Sequence, residues 1–218
     1  MTKITNVSTV SVEIPYEHGG PKAGWGGQSW NKLSILMVKV ETEDGYTGWG
    51  EGFSYNCRAA VKAAVENMVA PVVIGMDSGD IAGISRDMQQ KLHLFGRYGI
   101  TIFALSALDI ALWDIAGKRA GVPLHRLLGG AARTRVPGYA SLLKYRDAEL
   151  VGENVAKARS EGYDAIKIHE TEVLEVAAAR DAAGEGIPLM VDTNCPWTPE
   201  QARIMAGKLW EFDLHWLE

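Results

Sequence analysis

Three short apolar segments of this chain end in residues that could carry chemistry. They are Ala165-Ile166-Lys167-Ile168-His169, Leu189-Met190-Val191-Asp192-Thr193-Asn194 and Leu214-His215-Trp216-Leu217-Glu218. Alternate residues of a strand point to the same side. Lys167 and His169 therefore share one face, with Ile166 and Ile168 on the other. Asp192 and Asn194 share theirs with Met190, and Glu218 shares its face with Trp216. An unpaired carboxylate or ammonium taken out of water costs several kcal/mol, so such groups are kept near one another or near a metal. Asp192 and Glu218 offer hard oxygen ligands suited to Mg²⁺. The imidazole of His169, with an ordinary pKa of ~6.5, can accept and return a proton near neutral pH. A plain salt bridge between Lys167 and the two acids is the simpler alternative. It accounts for the charges, but not for His169 or for the placement of every group at a strand end.

The elements that must position these residues form a repeat. Strand 136–140 leads to a helix over 147–160, and strand 165–169 to a helix over 173–183. Strand 189–192 leads to a helix over 199–209, and strand 214–218 follows. Strand and helix units in regular alternation predict a parallel sheet with right-handed crossovers. Polar residues at the strand ends are the mark of a (β/α) TIM-type barrel, whose chemistry sits at the C-terminal mouth. Four strands and three helices are close to half of such a barrel.

Upstream the pattern differs. Residues 4–14 and 33–42 read as strands, Asp44-Gly45 is a turn signal, and 46–51 reads as a returning strand. Helical patterns follow over 57–70, 81–94 and 100–120, ending near Gly129-Gly130. The expected organisation is an α+β domain over 1–130 followed by a partial barrel over 131–218. Between the first two strands, residues 15–31 hold five glycines with Trp25 and Trp30. That composition fits either a lid that closes over a ligand or a surface loop with its tryptophans tucked back.

Composition narrows the classes. The chain has 218 residues, 47% of them hydrophobic, and a net charge of −5. This describes a globular protein with a real core, and argues against nucleic acid or an anionic membrane as partner. No apolar run reads as approaching the ~20 residues of a membrane span, and the first residues lack a signal-peptide core. Cys57 and Cys195 lie far apart, outside any metal-ligand spacing, and suit a reducing cytoplasm.

The run from Ala104 through Asp109 and Trp113-Asp114 to Lys118 resembles the signature helix of the enolase superfamily. It is closest to the mandelate racemase and muconate lactonizing enzyme family. Gly121-Val122-Pro123-Leu124 and Leu127-Leu128-Gly129-Gly130 are similar to that family's link from capping domain to barrel. The stretch from Leu189 through Asp192 and Asn194 to Leu217-Glu218 resembles its second signature. The resemblance covers the whole chain. It implies a capping domain followed by about four strands of a (β/α)7β barrel.

It also implies that Asp192 and Glu218 are two of three Mg²⁺ ligands. The metal would hold a substrate carboxylate and stabilise the enediolate formed when the α-proton leaves. Lys167 would lie near that carboxylate, and His169, where the family often has a second lysine, would be the general base or acid. Asn194 would orient the site, while Trp25, Trp30 and Tyr55 are candidate specificity contacts. Asp109 and Asp114 read as structural.

The reaction implied is racemisation or cycloisomerisation of an α-hydroxy acid or similar small-molecule carboxylate. The alternatives are dehydration of an acid sugar, and a non-catalytic fragment or pseudoenzyme. The same resemblance implies a homo-oligomer as the expected assembly, of which the sequence itself gives no direct sign. The family's third metal ligand and its opposing His–Asp pair belong to strands after the fourth, so the expectation is that 218 residues are part of a longer enzyme and inactive alone.

Overall fold

The computed structural model describes residues 1–20, 30–130 and 133–218. These fall into two units: 1–16 with 30–130 and 133–134, and 17–20 with 135–218.

The first unit is built on an antiparallel meander, β1 (Ile4–Pro15), β2 (Lys32–Thr42) and β3 (Thr47–Gly52), in sheet order β1-β2-β3. The turn between β2 and β3 closes at Gly45, whose φ of +85° suits a residue without a Cβ. Leu36, Val38 and Val40 on β2 are fully buried. They pair with Gly52, Gly50 and Gly48 on β3. Helices α1 (Arg58–Ala64), α2 (Ala70–Val73), α3 (Ile81–Lys91), α4 (Ile100–Ala120) and α5 (Leu124–Leu127) follow, with a π-helical turn, Val65–Val69, joining α1 to α2. The expected helix over 57–70 is therefore interrupted.

The glycines of β3 explain how α4 seats. A Cβ on Gly50 would stand 2.0 Å from the Ala107 carbonyl oxygen, and one on Gly48 would stand 2.1 Å from that of Ala111. Alternate glycines on the strand meet small residues on the helix, so backbone lies on backbone. Asp114 then accepts the Trp49 N–H at 2.9 Å, and Lys118 donates to Asp114 at 2.7 Å and to the Thr47 carbonyl at 2.8 Å. Asp114 is thus structural, as expected. One expectation is corrected: α4, with 21 residues, is long and apolar enough by length and composition to cross a membrane. Its apolar character has another cause here, since Ala104, Ala107, Leu108, Ala111, Leu112 and Ile115 are all buried in the core beneath the sheet.

The second unit is a four-stranded parallel sheet in order β4-β5-β6-β7, with β4 (Ala140–Ser141), β5 (Ile166–Ile168), β6 (Leu189–Val191) and β7 (Trp216–Leu217). Helices α6 (Ala148–Ser160), α7 (Val173–Ala183) and α8 (Pro199–Leu209) connect them. Asp147 caps α6 by accepting the Leu150 N–H, and Thr198 and Gln201 form a reciprocal capping box at α8. Arg180 on α7 donates to the carbonyls of Gly184, Ile187, Phe212 and Asp213, tying together the turns that precede β6 and β7.

The expected strand over 136–140 is shifted. The ladder begins only where Ala140 N–H meets the Ala165 carbonyl, and continues with Leu142 N–H on Lys167. Pro137 has no N–H to donate, and Gly138 gains little from an extended backbone.

Two stability predictions follow for the first unit. Gly50→Ala should lower its unfolding free energy by about 1–3 kcal/mol or more, because helix backbone must move; thermal unfolding would show this, and an unchanged midpoint would contradict the close seating. Asp77 accepts the Thr2 N–H at 2.9 Å and the Gly79 N–H at 3.1 Å. These bonds, Thr2 first, hold its carboxyl below the ordinary value. Its contribution is therefore full above the unfolded pKa of ~3.9 and fades as pH falls through the lower folded value. Asp77→Asn should flatten the acid side of the stability profile around pH 4 and below, which pH-dependent urea melts would register.

Candidate active site

Register places the charged residues. Ser141, Lys167, Met190 and Trp216 stand in one row across the four strands. Ile166, Ile168, Leu189 and Val191 point the other way, into the core under α6, α7 and α8. Met190 is buried without belonging to that core, so it stands with Lys167 on the opposite face of the sheet. The period-two reading of these strands therefore holds, and two residues further along β5, β6 and β7 lie His169, Asp192 and Glu218.

There the groups converge. Lys167 Nζ lies 3.0 Å from Asp192 Oδ2 and 3.9 Å from Glu218 Oε2. His169 Nε2 lies 3.2 Å from the same Asp192 oxygen. Lys167, His169 and Asp192 are largely shielded from water, at 12–17% side-chain exposure, whereas Glu218 is 56% exposed and its attraction to Lys167 is correspondingly screened. Burial is the largest influence on Asp192 and pushes its carboxyl up. The Lys167 hydrogen bond, the Asn194 N–H and the charges of His169, when it is protonated, and of Lys167 together outweigh it, so the carboxyl lies below its ordinary value. The Asp192 hydrogen bond raises the Lys167 ammonium, against burial, with the Asp192 and Glu218 charges adding to it.

The orientation of His169 follows from one contact. Its Nδ1 meets the Leu142 carbonyl oxygen. A carbonyl can only accept, so Nδ1 carries the hydrogen and Nε2 is the nitrogen presented to the Asp192 side. Leu142 bears no sequence signal for this role, because the backbone does the work.

Other partners were equally silent. Trp216 Nε1–H donates to Glu218 Oε2 at 3.1 Å, and the Tyr139 ring stands edge-on to Trp216 at 6.0 Å and 5.9 Å from Lys167 Nζ. Only the in-phase position of Trp216 hinted at its place.

The remaining predicted residues divide. Asn194 is exposed, at a φ of +56°, and its backbone N–H donates to Asp192 Oδ1 at 3.0 Å. Its main chain, rather than its amide, orients the carboxylate. Trp30 and Tyr55 stand edge-on at 5.6 Å in the first unit. Trp25 lies outside the described residues.

The donor chemistry fits a hard divalent cation in part. Asp192 and Glu218 carry oxygen ligands on adjacent strands, close enough to share one ammonium. Among the described residues no group of three potential ligands stands together. The two carboxylates would thus be part of an octahedral set that needs further oxygens.

Breaking the pair should be costly. With divalent ions chelated, Lys167→Met should lose about 3 kcal/mol of stability, as expected for an uncompensated buried carboxylate. Adding Asp192→Leu should return most of it. A single-variant change below about 0.5 kcal/mol, typical of a surface pair, would contradict this.

The comparisons with known proteins agree with this architecture. Residues 24–129 match the family model for the mandelate racemase/muconate lactonizing enzyme N-terminal domain, and residues 150–218 match the enolase C-terminal domain-like model. Arabinonate dehydratase of Saccharolobus solfataricus is 32% identical over 88% of this chain and 54% of its own length. The 3,6-anhydro-alpha-L-galactonate cycloisomerase of Streptomyces coelicolor is 37% identical over 85% of the chain and 54% of its length. Among solved structures, L-talarate/galactarate dehydratase from Salmonella typhimurium LT2, liganded with Mg and L-lyxarohydroxamate, superposes with a TM-score of 0.82 at 29% identity. That match covers 99% of this chain and 58% of the other. The chain spans about half the length of the curated relatives it matches. An antiparallel capping sheet, a parallel α/β part and both family matches lead to one conclusion: the chain belongs to the enolase superfamily, with the N-terminal domain of its mandelate racemase/muconate lactonizing enzyme family.

Proposed function

We propose that the site removes the proton α to the carboxylate of an acid sugar, in a Mg²⁺-dependent β-elimination. The observation that carries this reading is His169, held by the Leu142 carbonyl so that Nε2 faces the Asp192 oxygen that also accepts from Lys167. An acid-base nitrogen, an ammonium and two carboxylates on one side of a sheet are the parts that enolisation of a carboxylate requires.

Asp192 and Glu218 would hold the metal. When bound, it would supply positive charge against the negative charge that builds on the substrate carboxylate as the α-proton leaves. Lys167 adds a fixed ammonium on the same side and costs no reorganisation during the reaction, because Asp192 already orients it. His169 takes the proton at Nε2 while Nδ1–H stays on the Leu142 carbonyl, so the ring does not turn between accepting and returning it. The electron pair released at the α-carbon expels a β-oxygen. If that oxygen is a hydroxyl, it takes up a proton and leaves as water; if it belongs to a sugar ring, it stays attached and the product is an isomer.

These two outcomes correspond to the dehydratases and cycloisomerases among the relatives. Their names favour acid sugars over simple α-hydroxy acids.

The test is solvent exchange. The protein as its cell makes it, with Mg²⁺ in D₂O, should exchange the α-proton of at least one sugar acid from a panel of five- and six-carbon aldonates and aldarates, read by proton NMR. His169→Gln should lower that exchange by about 10²–10⁴-fold, the usual contribution of a general base, while Mg²⁺ binding measured by titration calorimetry is kept. Exchange that survives in the variant would remove His169 from the mechanism. No exchange with any sugar acid would favour a non-catalytic role.

A further inference from the structure

Glu170, the residue directly after His169, is 1% exposed and belongs to no ion pair among the described residues. Its carboxylate is satisfied by backbone instead. Oε1 accepts the Tyr145 N–H at 2.5 Å, and both oxygens accept the Arg146 N–H at 3.2 Å. Arg146 has a φ of +58°, a conformation that costs a non-glycine residue free energy and persists only when its surroundings hold it. The Glu170 carboxylate supplies that hold. Its neighbours act on the same loop, since His169 Nδ1 meets the Leu142 carbonyl and Thr171 Oγ1 accepts from Lys144 Nζ at 3.2 Å. Three consecutive residues after β5 thus grip the five residues that follow β4.

The far side of that loop supports a second element. The Tyr145 ring stands edge-on to His18, 5.6 Å between centroids, and both residues are nearly fully buried. A Cβ on Gly20 would come 2.7 Å from Tyr145 Cδ1, so the segment seats because that residue is glycine. Asn154 Nδ2 donates to the Gly19 carbonyl at 2.8 Å.

We infer that Glu170 is a positioning residue that sets two things through the loop 142–146: the orientation of His169, through the Leu142 carbonyl, and the seat of His18, through the Tyr145 ring. The inference deepens the proposed function and rests on it for the importance of His169, but the coupling itself is a structural claim. Burying a carboxylate to hold a strained loop is costly, and the arrangement makes physical sense where the loop's position matters.

Glu170→Gln keeps the size of the side chain and replaces one acceptor oxygen by a donor that opposes the Arg146 N–H. The chain has five histidines, so their ring signals can be assigned by long-range nitrogen–proton NMR of the protein as its cell makes it. In the parent, the His169 Nδ1–H should exchange slowly with water, and the His18 ring protons should be displaced by the Tyr145 ring. In the Gln variant, the Nδ1–H should exchange about tenfold faster, as expected for a weakened hydrogen bond of ordinary strength, and the His18 displacement should collapse. A folded variant with both signals unchanged would overturn the inference.

If Glu170→Gln does not fold, Tyr145→Ala leaves every backbone N–H to Glu170 in place. It should abolish the His18 displacement and leave the His169 Nδ1–H slow. A His18 signal that does not move would overturn the inference as well. Because neither readout requires turnover, failure here is separable from failure of the enolisation reading. If both readings hold, Glu170→Gln should lower kcat by about tenfold or more with a smaller change in KM, the pattern of a base displaced after substrate has bound.

Discussion

An ammonium held between two carboxylates on one side of a four-stranded sheet is the interaction on which the candidate site depends. Lys167 is mostly buried, and an isolated ammonium there would be costly. Asp192 offsets that cost at 3.0 Å, and in turn is itself burdened by burial and relieved by Lys167, Asn194 N–H and His169. The shielded groups, Lys167, His169 and Asp192, are tolerable there because each has the others beside it. That mutual dependence keeps the polar groups together on short strands whose other faces are purely apolar.

The supporting structure is mostly backbone. Leu142 orients His169, the Asn194 N–H orients Asp192, and Tyr145 and Arg146 satisfy Glu170. Main-chain donors and acceptors are fixed by the fold and lose little entropy when they bind, which suits them to holding a ring or a carboxylate in one orientation. In the first unit the same economy appears as direct contact. Gly48 and Gly50 let the backbone of α4 lie on β3, and Asp114 and Lys118 close the seam by bonding to strand main chain.

Much of this was legible in the residues. The alternation of Ile166 with Lys167 and of Leu189 with Met190 predicted which side chains share a face, because strand geometry has a period of two whatever surrounds it. The Asp44-Gly45 turn and helices α4, α7 and α8 were readable for similar local reasons. The strand expected over 136–140 was misplaced because its strength depends on a partner's ladder, and Pro137 withholds a donor from it. The apolar length of α4 was underestimated, since a core helix and a membrane span look alike until burial separates them.

By itself, the sequence determined the repeat of strand and helix, the phase of the charged residues along each strand, and their membership of a recognisable family, all set by local geometry and residue chemistry. Tertiary structure alone decided which nitrogen of His169 faces the site, which neighbours relieve Asp192, and that Glu170 spends its carboxylate on a distant loop. Those outcomes rest on backbone groups, which every residue carries alike and which acquire a role only when folding brings them beside a particular side chain.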